Sequence, residues 1–184
     1  MAKSLLATET ETQREILIYF RVGLAHFWFK EMIGMASFKP AEFQERIHRL
    51  QGKMQAKDVE LVIISRNSDL FYYTGSVQPL YFILPVNGRG IVLARKAIER
   101  IEAEASHLKL EVFNNSKDLM AILNRYRFDA VKRVGFTLDN ISYASVQRWQ
   151  QLIPGAEIVN LSWEIRSLRL VKSEAEIGIQ VKAG

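Results

Sequence analysis

The chain has 184 residues, no cysteine, and an excess of Lys and Arg over Asp and Glu that gives a formal net charge of +5. Its 48% of apolar residues is enough for the core of one domain of ordinary size and is not typical of a disordered chain. The lack of cysteine excludes disulfide scaffolds, thiolate zinc sites and cysteine nucleophiles. The basic residues are scattered, without a block of five like charges, so charge alone gives little support for nucleic-acid binding.

Residues 1–38 are predicted to form a helix that is apolar on most of its faces, above all in the stretch 16–29. Three interpretations stay open: a packing or oligomerisation helix, an interfacial membrane helix, or an upstream extension before a natural start at Met35. The apolar stretch is interrupted by two basic residues and is too short to span a bilayer. No secretory signal is recognisable, so we expect a cytoplasmic protein.

A second helix is predicted to begin at Pro40, since proline is favoured in the first turn of a helix. Apolar side chains recur at helical spacing on one face of it, and charged side chains fall on the other. The apolar set is Phe43, Ile47, Leu50 and Met54. The charged set, which is expected to face solvent, is Glu42, Arg46, Arg49 and Lys53.

Strands and helices then alternate along the chain. A short, mostly β-branched run predicts a buried strand at 59–65. Further strands are predicted at 80–84, 90–94, 108–113, 133–136 and 157–160. Helical spacing predicts helices at 96–106, from a cap at Ser116, and at 142–152. Asn87-Gly88 marks a hairpin between the second and third strands. This order predicts an α/β fold of three layers, α/β/α, with a mixed sheet of about six strands.

The last residues predict the beginning of another helix. Ser173, followed three residues later by Glu176, is typical of a capping box. A helix as short as the one that fits before Gly184 is marginal in water unless it packs on something. We therefore expect residues 172–184 to be the start of a linker helix that leads to a further domain.

The densest motif is the segment 66–75, Arg-Asn-Ser-Asp-Leu-Phe-Tyr-Tyr-Thr-Gly, directly after the first strand, where loops form crevices. Asn67 or Ser68 is expected to cap a short helix, and Gly75 to end it at positive φ. One interpretation is a well-built turn without a ligand, and the other is a loop that lines a cleft shared with another domain or subunit. The candidate cleft or interface residues are Asn67, Tyr73, Gly75, Gln78 and Tyr81.

Signatures of catalysis and metal binding are not found in the sequence. It has no Gly-x-Ser-x-Gly or His-Glu-x-x-His motif, and its Gly-Arg-Gly segment belongs to the hairpin. The acidic pairs Glu102/Glu104 and Glu174/Glu176 are expected on solvated helix surfaces and caps. The three histidines have no second ligand at a suitable spacing: His26, His48 and His107. No catalytic and no metal-binding residue is therefore assigned.

Taken in order, these segments resemble the N-terminal domain of the creatinase, prolidase and Xaa-Pro aminopeptidase group, the pita-bread metallopeptidases. The matching segments are 49–54 (Arg-Leu-Gln-Gly-Lys-Met), 59–64, 67–75 and 168–177. The resemblance implies a sheet of ribonuclease-H-like topology and places this domain at residues 39–171. Residues 1–38 have no counterpart in it.

The resemblance also implies a function. It is that of a non-catalytic N-terminal domain of a metal-dependent hydrolase, an Xaa-Pro aminopeptidase or Xaa-Pro dipeptidase, which supports homodimerisation and shapes the substrate cleft. By position that role falls on residues 73–81, although Ser76 stands where an apolar or aromatic residue is common in the family. A pair of manganese, cobalt or zinc ions is expected in the catalytic domain and no cofactor in this chain, which should be inactive alone.

The expected partners are a second copy, the chain's own catalytic domain and, only with that domain, a peptide substrate; no specific nucleic acid and no membrane is expected. Two alternatives stay open. One is a catalytically inactive peptide- or histone-binding module of the same fold. The other is the N-terminal domain of a creatinase-like amidinohydrolase.

Overall fold

A single mixed sheet of six strands organises the protein, whose computed structural model describes residues 38–183. The strands are β1 (Leu61–Ile64), β2 (Tyr81–Pro85), β3 (Ile91–Ala94), β4 (Lys109–Val112), β5 (Arg133–Phe136) and β6 (Glu157–Asn160). Their order is β4-β3-β2-β1-β5-β6, in which β2 is antiparallel to both of its neighbours and the other pairs are parallel. Without the edge strand β4, this is the ribonuclease-H-like order: a meander of three strands with two parallel strands added beside β1.

Helices cover both faces of the sheet. They are α1 (Pro40–Ala56), α2 (Asn67–Thr74), α3 (Ile98–Glu104), α4 (Ser116–Arg125), α5 (Tyr143–Leu152), α6 (Ser162–Leu170) and α7 (Glu174–Ala183), with a 3₁₀ turn at Phe128–Ala130. Side chains of α1, α2, α3 and α6 form the core on one face, and those of α4 and α5 form the core on the other. The predicted three-layer α/β/α fold is confirmed. The predicted helix within residues 1–38 lies outside the described residues.

The central strand β1 explains why its sequence is an unbroken apolar run. Val62 and Ile64 point into one core, whereas Leu61 and Ile63 point into the other, and all four are buried. A strand covered on both faces has no solvent side to mark with polar residues. The apolar run therefore follows from the position of β1 in the middle of three layers.

Two local predictions need correction. The side chain of Asn115, not Ser116, caps α4, because its Oδ1 accepts from the backbone N–H groups of Lys117 and Asp118 at 2.8 and 3.0 Å. Helix α6 was not predicted at all, since only Ile165 and Leu168 of its nine residues are buried apolar side chains and their pattern is too short to show a period.

No helix among the described residues is both long and apolar enough to cross a membrane.

Candidate functional site

The side chain of Arg46 is buried, with only 2% of its surface exposed, so the prediction that it faces solvent is wrong. Its guanidinium carbon lies 4.2 Å from the ring centre of Phe38 and 4.3 Å from that of Tyr72. The ring of Phe43 is 5.5 Å away. Aromatic faces attract a cation electrostatically, and more strongly where water is excluded. Three aromatic rings therefore surround this charge.

Polar contacts of Arg46 connect three helices. Nη1 donates to the main-chain carbonyl of Tyr72 in α2 at 2.8 Å, and Nε donates to Glu42 in α1 at 3.1 Å. Nη2 lies 3.8 Å from the Glu176 carboxylate in α7 and has no hydrogen-bond partner among the described residues. A buried charge is tolerated only when paired and hydrogen-bonded. Arg46 therefore ties α1, α2 and the start of α7 together.

Glu176 has two roles at the start of α7. The predicted capping box is confirmed, since Ser173 N–H donates to Glu176 Oε2 at 3.0 Å and Glu176 N–H donates to Ser173 Oγ at 3.2 Å. The other carboxylate oxygen, Oε1, is the one that faces Arg46. The pKa of Tyr72 is raised, first by burial and then by the negative charge of Glu176. The carboxylate that begins α7 therefore also attaches it to the domain.

A second ion pair joins α2 to the end of α6. Asp69 is buried, and its carboxylate accepts from Arg169, whose Nη1 also donates to Ser68 Oγ at 3.1 Å. The Tyr72 hydroxyl donates to the Leu168 carbonyl at 3.1 Å in the same region. Burial raises the pKa of Asp69, although Arg169 acts in the opposite direction. The segment 66–75 thus packs against the end of α6 and is not a free loop.

Two of the five candidate residues lie in different surroundings. Asn67 is the exposed first residue of α2, and Arg66 occupies the N-cap position without a side-chain cap. The prediction that Asn67 or Ser68 caps the helix is therefore wrong, because the helix begins one residue earlier. Tyr73 is fully buried, with its ring stacked 6.2 Å from that of Phe82, and burial raises the pKa of its hydroxyl. Tyr73 has no exposed surface, and its contacts are those of a packing residue.

Gly75 and Gln78 lie in a turn that a buried serine organises. Gly75 ends α2 at a φ of 79°, as the sequence predicts, in a conformation that favours glycine. Next to it, Ser76 Oγ donates to Glu104 at 2.6 Å and accepts from the Gln78 N–H at 3.1 Å. Glu104 was expected to be solvated, but it anchors this turn to α3. The hydroxyl contact explains why a serine serves at this position.

Tyr81 lines a cleft of about 170 Å³ between α4 and α5. Its ring meets that of Trp149 edge to face, with ring centres 5.1 Å apart. Phe113, Leu119 and Leu152 complete the apolar part of the wall. Two arginines, which the sequence did not single out, also line it: Arg95 and Arg148. Of the five candidates only Tyr81 lies there, so the structure does not gather them into one site.

Groups of three or more His, Asp or Glu side chains that could hold a metal ion do not occur within residues 38–183. Residues 168–176 form a junction with α1 and α2, and the chemistry available there is that of ion pairing and packing. At the cleft it is that of two guanidinium groups beside an apolar wall.

The family described as Creatinase/Prolidase N-terminal domain matches residues 46–171, more than half of the chain. The chain belongs to this family. The matched region contains the whole sheet and helices α2 to α6. It also begins at the arginine that joins the helices and ends directly after α6.

Known relatives of this creatinase/prolidase N-terminal domain include larger proteins. A Sinorhizobium fredii protein described as an uncharacterized hydrolase/peptidase is 22% identical over an alignment of 165 residues, and the match covers 79% of this chain and 42% of the relative. The Xaa-Pro dipeptidase from Bacillus anthracis superposes with a TM-score of 0.65 at 17% identity, covering 74% of this chain and 38% of that one. The chain therefore spans about two fifths of the length of these relatives.

Two further structures are similar in fold. The prolidase from Pyrococcus horikoshii has a TM-score of 0.62 at 21% identity and covers 73% of this chain and 38% of that one. The N-terminal domain of a cytoplasmic peptidase from Mycobacterium tuberculosis has a TM-score of 0.59 at 15% identity, covering 68% of this chain and 98% of that one. The second comparison shows that the shared fold is that of an N-terminal domain.

Replacing Arg46 with Met should lower the free energy of unfolding by about 2–4 kcal/mol, because Glu176 and the Tyr72 carbonyl lose a buried charged partner. Arg49→Met removes the same charge from the same helix at a half-exposed position, and should change the free energy of unfolding by less than about 0.5 kcal/mol. Denaturant unfolding of both variants measures the difference. Equal effects would contradict a special role for Arg46.

Replacing Arg169 with Gln should lower the free energy of unfolding by about 1–3 kcal/mol at neutral pH, because Asp69 keeps a buried charge without its ionic partner. The pKa of Asp69, already raised in the folded state, should rise further. A raised folded-state pKa means that the folded protein binds the proton more tightly than the unfolded one, so the deficit should shrink as the pH falls through that pKa.

The matched control is Arg166→Gln, which breaks the more exposed pair of Arg166 with Asp139. That variant should lose less than about 1 kcal/mol. Urea titrations of both variants at neutral and acidic pH measure the two effects. A deficit of Arg169→Gln that grows on acidification would refute the assignment to Asp69.

Proposed function

We propose that this chain is the non-catalytic N-terminal domain of a proline-directed, metal-dependent hydrolase, in which it orients a catalytic domain and shapes its substrate cleft. The observation that carries the proposal is the junction at residues 168–176, where Leu168, Arg169 and Glu176 contact buried side chains of α1 and α2. The family membership and the names of the relatives, a dipeptidase of Xaa-Pro substrates and a prolidase, support the choice of reaction class.

The junction supports an orienting role because it restrains the chain at three successive places. Tyr72 holds the carbonyl of Leu168, Asp69 pairs with Arg169, and Arg46 faces Glu176. Each partner on the domain side is buried and belongs to α1 or α2. Side chains fixed by packing hold their partners in one geometry. A domain attached after α7 would therefore be held in a defined direction.

Exposed apolar side chains beside the junction support a contact with that domain. Trp163 and Leu170 lie seven residues apart, two turns along the same side of α6, and Val171 follows directly. About two thirds of each of these three side chains is exposed: 65%, 64% and 64%. Exposed apolar groups that cluster in this way mark interaction surfaces. We assign this surface to the catalytic domain.

The remaining parts of the proposal rest on the resemblance to the pita-bread metallopeptidases. They are a homodimer, a cytoplasmic location, and a pair of manganese, cobalt or zinc ions in the catalytic domain. That metal pair would activate water and stabilise the tetrahedral intermediate of amide hydrolysis. The junction and the turn at residues 75–81 of this chain would lie beside the substrate cleft of the catalytic domain.

The first test is an activity assay of the 184-residue chain on Xaa-Pro dipeptides with added manganese, cobalt or zinc. We expect no turnover. Cleavage by a homogeneous sample, abolished by a chelator, would contradict the assignment as non-catalytic. Light scattering on the same sample tests the homodimer, for which a monomer at all concentrations is the contrary result.

The second test is the DNA sequence that follows the codon of Gly184 in the gene. An open frame that encodes the aspartates, histidine and glutamates of a two-metal centre is expected. A stop codon at that point would overturn the role as an orienting domain.

A further inference from the structure

The cleft between α4 and α5 combines features of a ligand site that the junction does not use. Arg95 follows the carboxyl end of β3, and Phe113 follows that of the parallel strand β4. In open α/β sheets ligands bind outside the carboxyl ends of strands. Trp149 closes the other side from α5. The position is therefore one where this class of fold binds small molecules.

Positive charge at the cleft has no counterpart within residues 38–183. Arg95 and Arg148 are exposed, and neither forms an ion pair with a described residue. The guanidinium of Arg95 stands over the ring of Phe113 at 4.9 Å, which restricts its orientation. Arginine binds carboxylates through paired N–H donors. The two groups thus favour a ligand that carries a carboxylate.

The N-terminus of α4 contributes to anion binding in the cleft only through the helix dipole. Ser116 begins the helix at the cleft, but the N–H groups of the next two residues already donate to Asn115. Recognition of an anion must therefore depend on the arginine side chains.

The volume and the apolar wall limit what the cleft can hold. At about 170 Å³ it is smaller than the pockets of drug-sized ligands, which measure about 300–1,000 Å³. Leu119, Trp149 and Leu152 are buried behind the wall, and the apolar surface that a ligand can reach is that of Leu80, 42% exposed, and of the half-buried Tyr81, which suits one apolar side chain. A bare phosphate would leave this wall unused, and an Asp or Glu side chain would place its charge against it.

We propose that this cleft binds the carboxy-terminal residue of a peptide: an apolar last side chain packs against Leu80 and Tyr81, and the terminal carboxylate pairs with Arg95 and Arg148. A C-terminal apolar residue carries a carboxylate and an apolar side chain on the same Cα, so it can contact the arginines and the apolar wall at once. The proposal does not rest on the proposed function: none of the cleft residues belongs to the junction, and only Leu80 and Tyr81 also belong to the turn at residues 75–81.

The test is an NMR titration of the ¹⁵N-labelled 184-residue chain with acetyl-glycyl-leucine and with its C-terminal amide. The acetyl group removes the free amine that an aminopeptidase substrate needs, so binding is separated from turnover. The free acid should shift the backbone amides of Tyr81, Arg95, Ser116 and Arg148. It should bind about tenfold more tightly than the amide, the ratio expected for one charged hydrogen bond.

Variants and further ligands make the test specific. Arg95→Gln and Arg148→Gln should each weaken binding of the acid about tenfold. Lys53→Gln removes one exposed charge from α1, outside the cleft, and should leave binding unchanged. Acetyl-diglycine, which has the carboxylate but no side chain, should bind more weakly than acetyl-glycyl-leucine. Thermal melting of each variant verifies that the fold is intact.

Several outcomes would overturn the proposal. Equal binding of acid and amide would exclude recognition of the carboxylate, and displacement of the peptide by equimolar inorganic phosphate would indicate a general anion site. If Lys53→Gln weakened binding as much as the two arginine variants do, binding would depend on the net charge of the protein rather than on the cleft. Shifts confined to residues outside the cleft would place the peptide elsewhere.

Discussion

The burial of one arginine determines how the ends of this domain are arranged. A guanidinium group removed from water destabilises the fold unless aromatic faces, hydrogen bonds and opposite charges replace the solvent. Arg46 obtains these from Phe38 and Tyr72, from the main chain of α2, and from Glu42 and Glu176. Because these partners belong to segments far apart in sequence, the charge is satisfied only when α1, α2 and α7 meet in one arrangement.

The other contacts of the junction follow from this arrangement. Tyr72, whose ring packs on Arg46, also directs its hydroxyl to the carbonyl of Leu168, and Asp69 from the same helix reaches Arg169. The segment after β1 therefore acts as a packed bracket between the sheet and the last helices. In the proposed function, this arrangement would fix the direction in which the chain leaves the domain.

Much of the fold follows from local sequence signals. An unbroken apolar run predicts β1 because both faces of this strand are covered. Asn87-Gly88 predicts the β2–β3 hairpin, although the loop spans residues 86–90. The capping box at Ser173 works because all of its atoms lie within one helical turn. Helix α6 could not be predicted, since its stability comes from two apolar side chains that reach a distant core.

The surroundings of Arg46 and the cleft between α4 and α5 were harder to predict, because both depend on contacts between residues far apart in sequence. Arg46 lies three residues after Phe43 and four before Leu50, on the apolar stripe of α1, but its charge alone suggested the solvent side. Partners that neutralise it come from residues 72 and 176, and a single sequence does not indicate such long-range pairs. The arginines of the cleft, Arg95 after β3 and Arg148 in α5, are likewise brought to one place only by the fold.

The most direct measurement of the central claim is a double-mutant cycle between Arg46→Met and Glu176→Gln, read as the free energy of unfolding. Glutamine preserves the capping box while it removes the charge, so the cycle isolates the pair. The account predicts a coupling of about 0.5 kcal/mol or more, as for residues in contact, and close to zero for the control cycle with the exposed Glu174. Coupling near zero between Arg46 and Glu176 would contradict it.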